Sequence, residues 1–247
     1  MPNVNDQFFD GNYKDIWRAM IPEKLTEKEI EFMLPYFDLK PGKRVLDLMC
    51  GYGRHAIALG RLGVEVVAID NLGDYTNEIN VIAEKESLPI QALKSDVISF
   101  QISGLFDLVI CMGNSLNFFN EEDVLKLLKN VSSHLKEGCH LLINTWSLAE
   151  IALEKFKETN SSDIAGFKFE NKCKLLFQPT RIETESVITG KDGSSETKKA
   201  IDYLYSIEEL KRILKQVNLK LIEVFSIPGR KKFTIGEPRA YLIAQRN

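Results

Sequence analysis

One stretch, residues 44–72, constrains this chain more than any other. It reads Arg44-Val-Leu-Asp47-Leu-Met-Cys-Gly51-Tyr-Gly53-Arg-His-Ala-Ile-Ala-Leu-Gly60-Arg-Leu-Gly63-Val-Glu-Val-Val-Ala-Ile-Asp70-Asn71-Leu72. An apolar run ends in an acid, a glycine-rich turn follows, then a helix-like run, then a second apolar run that also ends in an acid. Strand, tight loop, helix and parallel strand make a βαβ unit. Such a unit holds a nucleotide-like ligand at the carboxyl ends of its strands.

The rest of the chain extends this unit. Thr26 and Glu29 read as a capping box for a helix carrying Ile30, Met33, Leu34 and Phe37 at helical spacing. Strand 44–48, helix 53–62, strand 64–69, helix 73–86 and strand 89–93 follow. The nearly all-apolar run 106–112 predicts a central strand. Asn120 caps a helix that Gly138 ends, and strand 139–144 and helix 147–157 come next. After Gly166 the pattern switches to polar–apolar alternation over 172–177, 181–189 and 196–205, with a Gly190–Gly193 turn. Ser206 and Glu209 then cap a helix, and 219–227 and 239–245 close the chain as strands. These signals predict an α/β fold. It has a Rossmann-like, mostly parallel seven-stranded sheet with helices on both faces and the last strand antiparallel. An antiparallel β subdomain, 166–205, is inserted after strand five into a body formed by 1–165 and 206–247.

Composition narrows the class. The 247 residues are 44% hydrophobic, enough for a sizeable core. The net charge of −3 argues against broad nucleic-acid or membrane-surface binding. Cys50, Cys111, Cys139 and Cys173 fit no paired metal spacing, so no metal is expected, and they suit a reducing, cytoplasmic setting. The start has no basic and apolar regions of a signal peptide, and no run approaches a membrane span.

The ligand can be argued further. Gly51-x-Gly53-x-x-Ala56 nearly matches the dinucleotide fingerprint, with Asp70 placed to take a ribose hydroxyl. That pattern alone admits an NAD(P)-dependent oxidoreductase. Asp47 points elsewhere: a carboxylate just ahead of Gly51 would repel a pyrophosphate but suits an ammonium or sulfonium group. Val45-Leu-Asp47-Leu-Met-Cys-Gly51-Tyr-Gly53 resembles the first motif of the class I S-adenosylmethionine-dependent methyltransferases. Asp70, Asp96-Val97 and Cys111-Met-Gly-Asn114-Ser-Leu-Asn117-Phe-Phe resemble their later motifs. Tyr13…Trp17-Arg-Ala-Met-Ile-Pro22 is similar to the start of a small-molecule subgroup.

The resemblance implies S-adenosylmethionine as cofactor. Asp47, Met112 and Gly113 would lie by its methionine portion, and Gly51 and Gly53 would pass beneath it. Asp70, with Asn71 and Leu72 beside it, would hold the ribose. Asp96 and Val97 would flank the adenine, and Tyr13 and Trp17 would close over the ligand. Methyl transfer from a sulfonium is a direct displacement, so no catalytic residue need exist. Tyr52, His55, Asn114, Ser115 and Asn117 are the candidates facing the methyl; His134 and His140 sit in core-like runs. The inserted strands are the expected substrate cover, with Lys172, Phe177, Arg181, Tyr203 and Tyr205 as lining candidates. Arg230, in the basic trio 230–232 of the final loop, is a candidate cradle for an acidic group.

The expected acceptor is a small molecule bound by a monomer or homodimer, with no nucleic acid and no membrane as partner. The Asn/Asp/Ser-Pro-Pro-aromatic segment of nucleic-acid amino methylases is missing after strand four. A non-enzymatic module that senses the cofactor or binds a partner remains a further alternative.

Overall fold

A computed structural model describes residues 3–247. A short 3-10 turn, Val4–Gln7, precedes α1 (Tyr13–Met20) and α2 (Glu23–Tyr36). The alternating part runs β1 (Arg44–Leu48), α3 (Arg54–Arg61), β2 (Glu65–Asp70), α4 (Gly73–Glu86), β3 (Ile90–Lys94) and β4 (Phe106–Cys111). It continues with α5 (Glu121–His134), β5 (Leu135–Thr145) and α6 (Ala149–Lys155). Four strands follow: β6 (Thr159–Ile164), β7 (Phe167–Phe177), β8 (Thr180–Thr189) and β9 (Ser195–Tyr203). The chain closes with α7 (Ile207–Gln216), β10 (Leu219–Ile227), β11 (Lys231–Lys232) and β12 (Ala240–Arg246).

The main sheet has the order β11-β10-β12-β5-β4-β1-β2-β3. Neighbours from β3 to β5 are parallel, and β12 runs antiparallel to both β5 and β10. The predicted seven strands are present. The eighth, β11, is a two-residue edge formed inside the basic loop, too short to leave a periodic signal. β4 is buried at every position, as its nearly all-apolar sequence requires for a central strand; its one acid, Asp107, pairs with Lys43 and Lys136. Its neighbour β1 reverses strand order: β2 and β3 lie to one side, β4 and β5 to the other. That is the switch point where open α/β sheets bind ligands.

The second sheet, β6-β7-β8-β9, is antiparallel throughout. It begins at Thr159 rather than after Gly166. Periodicity misses β6 because Thr-Asn-Ser-Ser-Asp-Ile has almost no apolar residue to alternate, and the strand is an exposed edge.

Two further boundaries differ. α5 stops at His134, and Leu135 already belongs to β5, so Gly138 lies within that strand. α2 begins at Glu23 with Pro22 as its cap, so Thr26 and Glu29 are interior and form no capping box. Their side chains meet α3 instead.

Two cores cover the faces of the main sheet. One joins α5, α6 and α7 to it through residues such as Leu128, Ile151 and Ile213. The other joins α2, α3 and α4 to it through Met33, Leu59 and Ile79. A third, smaller cluster packs Phe8, Tyr13 and Ile16 against Phe169, Ile188 and Ala200, fastening the N-terminal segment to the small sheet. Among the described residues no helix is long and apolar enough to cross a membrane.

Candidate functional site

A cavity of about 760 Å³ opens over the carboxyl ends of β1, β2 and β4. That volume is large for a ligand pocket, which spans roughly 300–1,000 Å³. Asp47, Gly51, Asp70, Asn71, Asp96, Val97, Met112, Gly113 and Trp17 all line it, as do Tyr52, His55, Ser115 and Tyr203. The fold thus gathers the three strand-end acids on one wall.

The floor is made by sharp turns. Gly53 has φ 77, and a Cβ there would sit 2.6 Å from Ile79 Cγ1, so only glycine fits. Gly113 has φ 75, and Trp17 lies 3.2 Å from where its Cβ would stand. Met49 and Asn114 carry side chains yet also adopt positive φ, 52 and 70. Such backbone costs on the order of 1–2 kcal/mol per residue. Here it falls at the ends of β1 and β4, and strain of this kind gathers at functional sites.

Each acid has its own environment. Asp47 is 1% exposed and its Oδ2 has no partner among the described residues. Burial pushes its carboxyl up to about 7, with Arg54 opposing and Asp70 adding to the rise. Asp70 Oδ2 accepts from the Gly51 N–H and Oδ1 from the Leu72 N–H, both at 2.9 Å. Burial raises its pKa and those backbone donors hold the rise back. Asp96 is exposed and accepts from the Ile98 N–H at 2.7 Å. The Tyr75 hydroxyl, buried on the same wall, has no partner among the described residues.

His55 and Glu29 form a buried pair beside Asp47. Glu29 Oε2 contacts Arg54 Nη1 at 2.5 Å and His55 Nε2 at 2.9 Å, and Thr26 Oγ1 accepts from Arg54 at 2.9 Å. Burial lowers the imidazole to about 4, Arg54 adds to that, and Glu29 opposes it. A neutral, engaged imidazole of such low basicity makes a poor general base. Its role is to brace the loop.

Asn114 and Asn117, candidates for facing the methyl, turn out to be saturated. Asn114 Oδ1 accepts from Thr145 Oγ1 and the N–H groups of Trp146 and Ser147. Its Nδ2 donates to Ser147 Oγ and Asp202 Oδ1, each at 2.8 Å. Asn117 donates to the Ser147 and Tyr203 carbonyls and accepts from Thr145. Both pin loops and have no free donor for an acceptor molecule.

Other expected residues lie off the cavity. Gly53 and Leu72 stand behind its wall, and Tyr13 packs into the cluster with Phe8, Phe9 and Phe169. Arg181 pairs with Glu183 on β8. Lys172 is exposed on β7, and Phe177 is exposed at the end of that strand. The Tyr205 hydroxyl donates to the Phe119 carbonyl. Arg230 lines a separate cavity of about 660 Å³ between α2 and the final loop. His134 is held by the Asn130 and Ile102 carbonyls, in keeping with a structural residue.

Three contributors escape the sequence reading. The segment Asn3–Asp6 lies across the cavity: Asn3 and Asn5 donate to the Phe118 carbonyl, Asn5 bridges both backbone groups of Ile201, and Asn71 donates to Asp6. Glu29 hides inside an apparent capping box. Asp202 on β9 accepts from Asn114 and from Ser147 Oγ at 3.2 Å. Burial lifts its carboxyl to about 6 against those two donors. An acid between Ala200-Ile201 and Tyr203-Leu204 was its one signal.

Residues 45–138 match the family described as methyltransferase domain. Over that stretch the chain is similar to a methyltransferase domain. A glycine/sarcosine N-methyltransferase of Aphanothece halophytica is 30% identical over 64% of this chain, which spans 61% of that relative's length. The fold is that of an S-adenosylmethionine-dependent methyltransferase from Clostridium acetobutylicum, with a TM-score of 0.79 at 19% identity over 95% of this chain and 96% of the other. It is also that of CalS10, an amino pentose methyltransferase from Micromonospora echinaspora solved with S-adenosylmethionine bound, with a TM-score of 0.72 at 14% identity over 96% and 98%. Among the described residues, no three His, Cys, Asp or Glu side chains gather as a metal would require.

Proposed function

We propose that the chain transfers a methyl group from S-adenosylmethionine to an N, O or C atom of a small-molecule acceptor. The observation that carries this reading is Asp47 Oδ2, buried on the cavity wall without a partner. A buried carboxylate is costly unless a cation or donor meets it. The ammonium group of the cofactor's methionine portion is such a partner.

The remaining wall fits the same ligand. Each Asp70 oxygen keeps a lone pair after its backbone bond, enough for the two ribose hydroxyls. Asp96 and Val97 would flank the adenine, and Trp17 would cover the methionine end. When bound, the cofactor supplies an electrophilic methyl carbon on a positively charged sulfur. The chain's part is to align the acceptor and exclude water. The named substrates of the Aphanothece relative and the amino pentose of the structural neighbour support a small acceptor. A nicotinamide dinucleotide fits less well, because Asp47 would face its pyrophosphate.

Calorimetry with S-adenosylhomocysteine and with nicotinamide dinucleotides tests the reading. Homocysteine-product binding that Asp70→Ala abolishes is expected. Tight dinucleotide binding with no S-adenosylhomocysteine binding would overturn it.

A further inference from the structure

We propose that Tyr75 sets the cavity's selectivity for a hydroxylated sugar: its phenol donates to a ribose hydroxyl that itself donates to Asp70. The assignment rests on the methyl-transfer reading above and adds to it a residue that selects the ligand. Tyr75 lines the large cavity and is only 2% exposed. Its hydroxyl has no hydrogen-bond partner among the described residues. A buried, unpaired hydroxyl is disfavoured, so a group that arrives with the ligand is the partner it lacks.

Local structure fixes where the ring sits. Tyr75 and Ile79 stand at i and i+4 in α4 and so share a face. Ile79 packs under Gly53, 2.6 Å from where a Cβ would stand, which turns that face toward the glycine turn. Tyr75 lies one turn nearer the start of α4, at the edge where Asp70 ends β2. Burial raises the phenol's pKa, and the Asp70 charge raises it further. The two groups are therefore close, and both line the cavity. Yet Asp70 accepts from the Gly51 and Leu72 N–H groups and not from Tyr75. A phenylalanine would fill the same space, so packing accounts for the ring and not for its hydroxyl.

The pair sets complementary demands. An Asp70 carboxylate only accepts, and the phenol proton needs an acceptor. A phosphate or carboxylate would accept from Tyr75 but would be repelled by Asp70. An ammonium group would donate to both and leave the phenol proton unpaired. A neutral hydroxyl meets both demands, donating to Asp70 and accepting from Tyr75. The ribose of the proposed cofactor carries two.

Calorimetry of the full chain with S-adenosylhomocysteine and with its 2′-deoxy and 3′-deoxy analogues tests this, for wild type and for Tyr75→Phe. The variant keeps the ring and loses only the donor. Its affinity for S-adenosylhomocysteine should fall about tenfold, the size of one hydrogen bond to a neutral group. Wild type should bind one of the deoxy analogues at least about tenfold more weakly than S-adenosylhomocysteine, because that analogue leaves the pair unmatched. The same analogue should bind Tyr75→Phe and wild type within about twofold of each other. Without ligand the variant should melt at a higher temperature, since an unpaired buried hydroxyl is gone. Affinities that stay within about twofold for all three ligands overturn the proposal. So does an equal loss for all three, the mark of a shifted helix. A variant that melts lower without ligand also overturns it, because the hydroxyl is then satisfied within the chain. A wild-type chain that binds none of the three instead overturns the methyl-transfer reading, and the role of Tyr75 falls with it.

Discussion

The Tyr241 hydroxyl donates to Glu29 Oε1 at 2.8 Å, joining the last strand of the sheet to the first long helix. The other Glu29 oxygen holds Arg54 and His55 at the start of α3. One buried carboxylate therefore ties three distant segments together directly behind the glycine turn. Burial alone would disfavour its charge, but the His55 hydrogen bond and the nearby Arg54 guanidinium keep Glu29 ionised.

Glu29→Gln should cost ~3 kcal/mol of stability, because it leaves Arg54 buried without its counter-ion. Urea unfolding of the two proteins measures this directly. A loss below about 0.5 kcal/mol, the usual size for surface changes, would show that the pair contributes nothing.

Asp47 predicts an opposite trade. Its folded-state pKa of about 7 lies above the ordinary 3.8. Between those values the folded protein binds a proton that the unfolded chain releases, so the group favours folding at low pH and opposes it once ionised. Its contribution therefore falls as pH rises from about 4 to about 7. Asp47→Asn should make the ligand-free protein more stable at pH 8, on the order of 3 kcal/mol, with the gain vanishing near pH 4. The same variant should lose most of its affinity for S-adenosylhomocysteine. Melting curves across pH, paired with calorimetry, check both halves.

Gly53→Ala meets two obstacles: a left-handed backbone and Ile79 Cγ1 at 2.6 Å. It should destabilise by about 2–3 kcal/mol, the sum of the backbone and crowding effects. In the Ile79→Ala background only the backbone part should remain. A double-mutant cycle separates the two, and equal losses in both backgrounds would remove crowding from the account.

Trp17 is partly exposed; it packs over two cavity glycines and against the edge of the cluster around Tyr13. Trp17→Ala should lower stability by about 1 kcal/mol, the usual size for a single substitution. Binding of S-adenosylhomocysteine should weaken about tenfold, the equivalent of ~1.4 kcal/mol.

Much of the fold is legible in the chain because period and burial agree. β4 is apolar apart from Asp107 and central, and Ser206 with Glu209 does form the capping box it spells. Thr26 with Glu29 spells the same motif and forms none, because Pro22 starts α2 earlier and the two side chains find Arg54. Local spacing cannot register a partner on another helix. The cofactor wall is legible for a related reason: Asp47, Asp70 and Asp96 each follow an apolar strand, which fixes their edge of the sheet. Asp202 carries no such marker. Its importance comes from Asn114, 88 residues away in sequence. Arg181, Lys172 and Phe177 show the opposite failure, since alternation gives two faces without saying which one the body covers.

The strap of Asn3 to Asp6 has a practical consequence. It crosses the mouth of the cavity and is stitched down by amide hydrogen bonds to Phe118, Ile201 and Asn71. Ligand exchange on that side would break those bonds, which couples it to how firmly Asn3 is held. An affinity tag fused there would load the gate, whereas one placed after Asn247 would leave it alone.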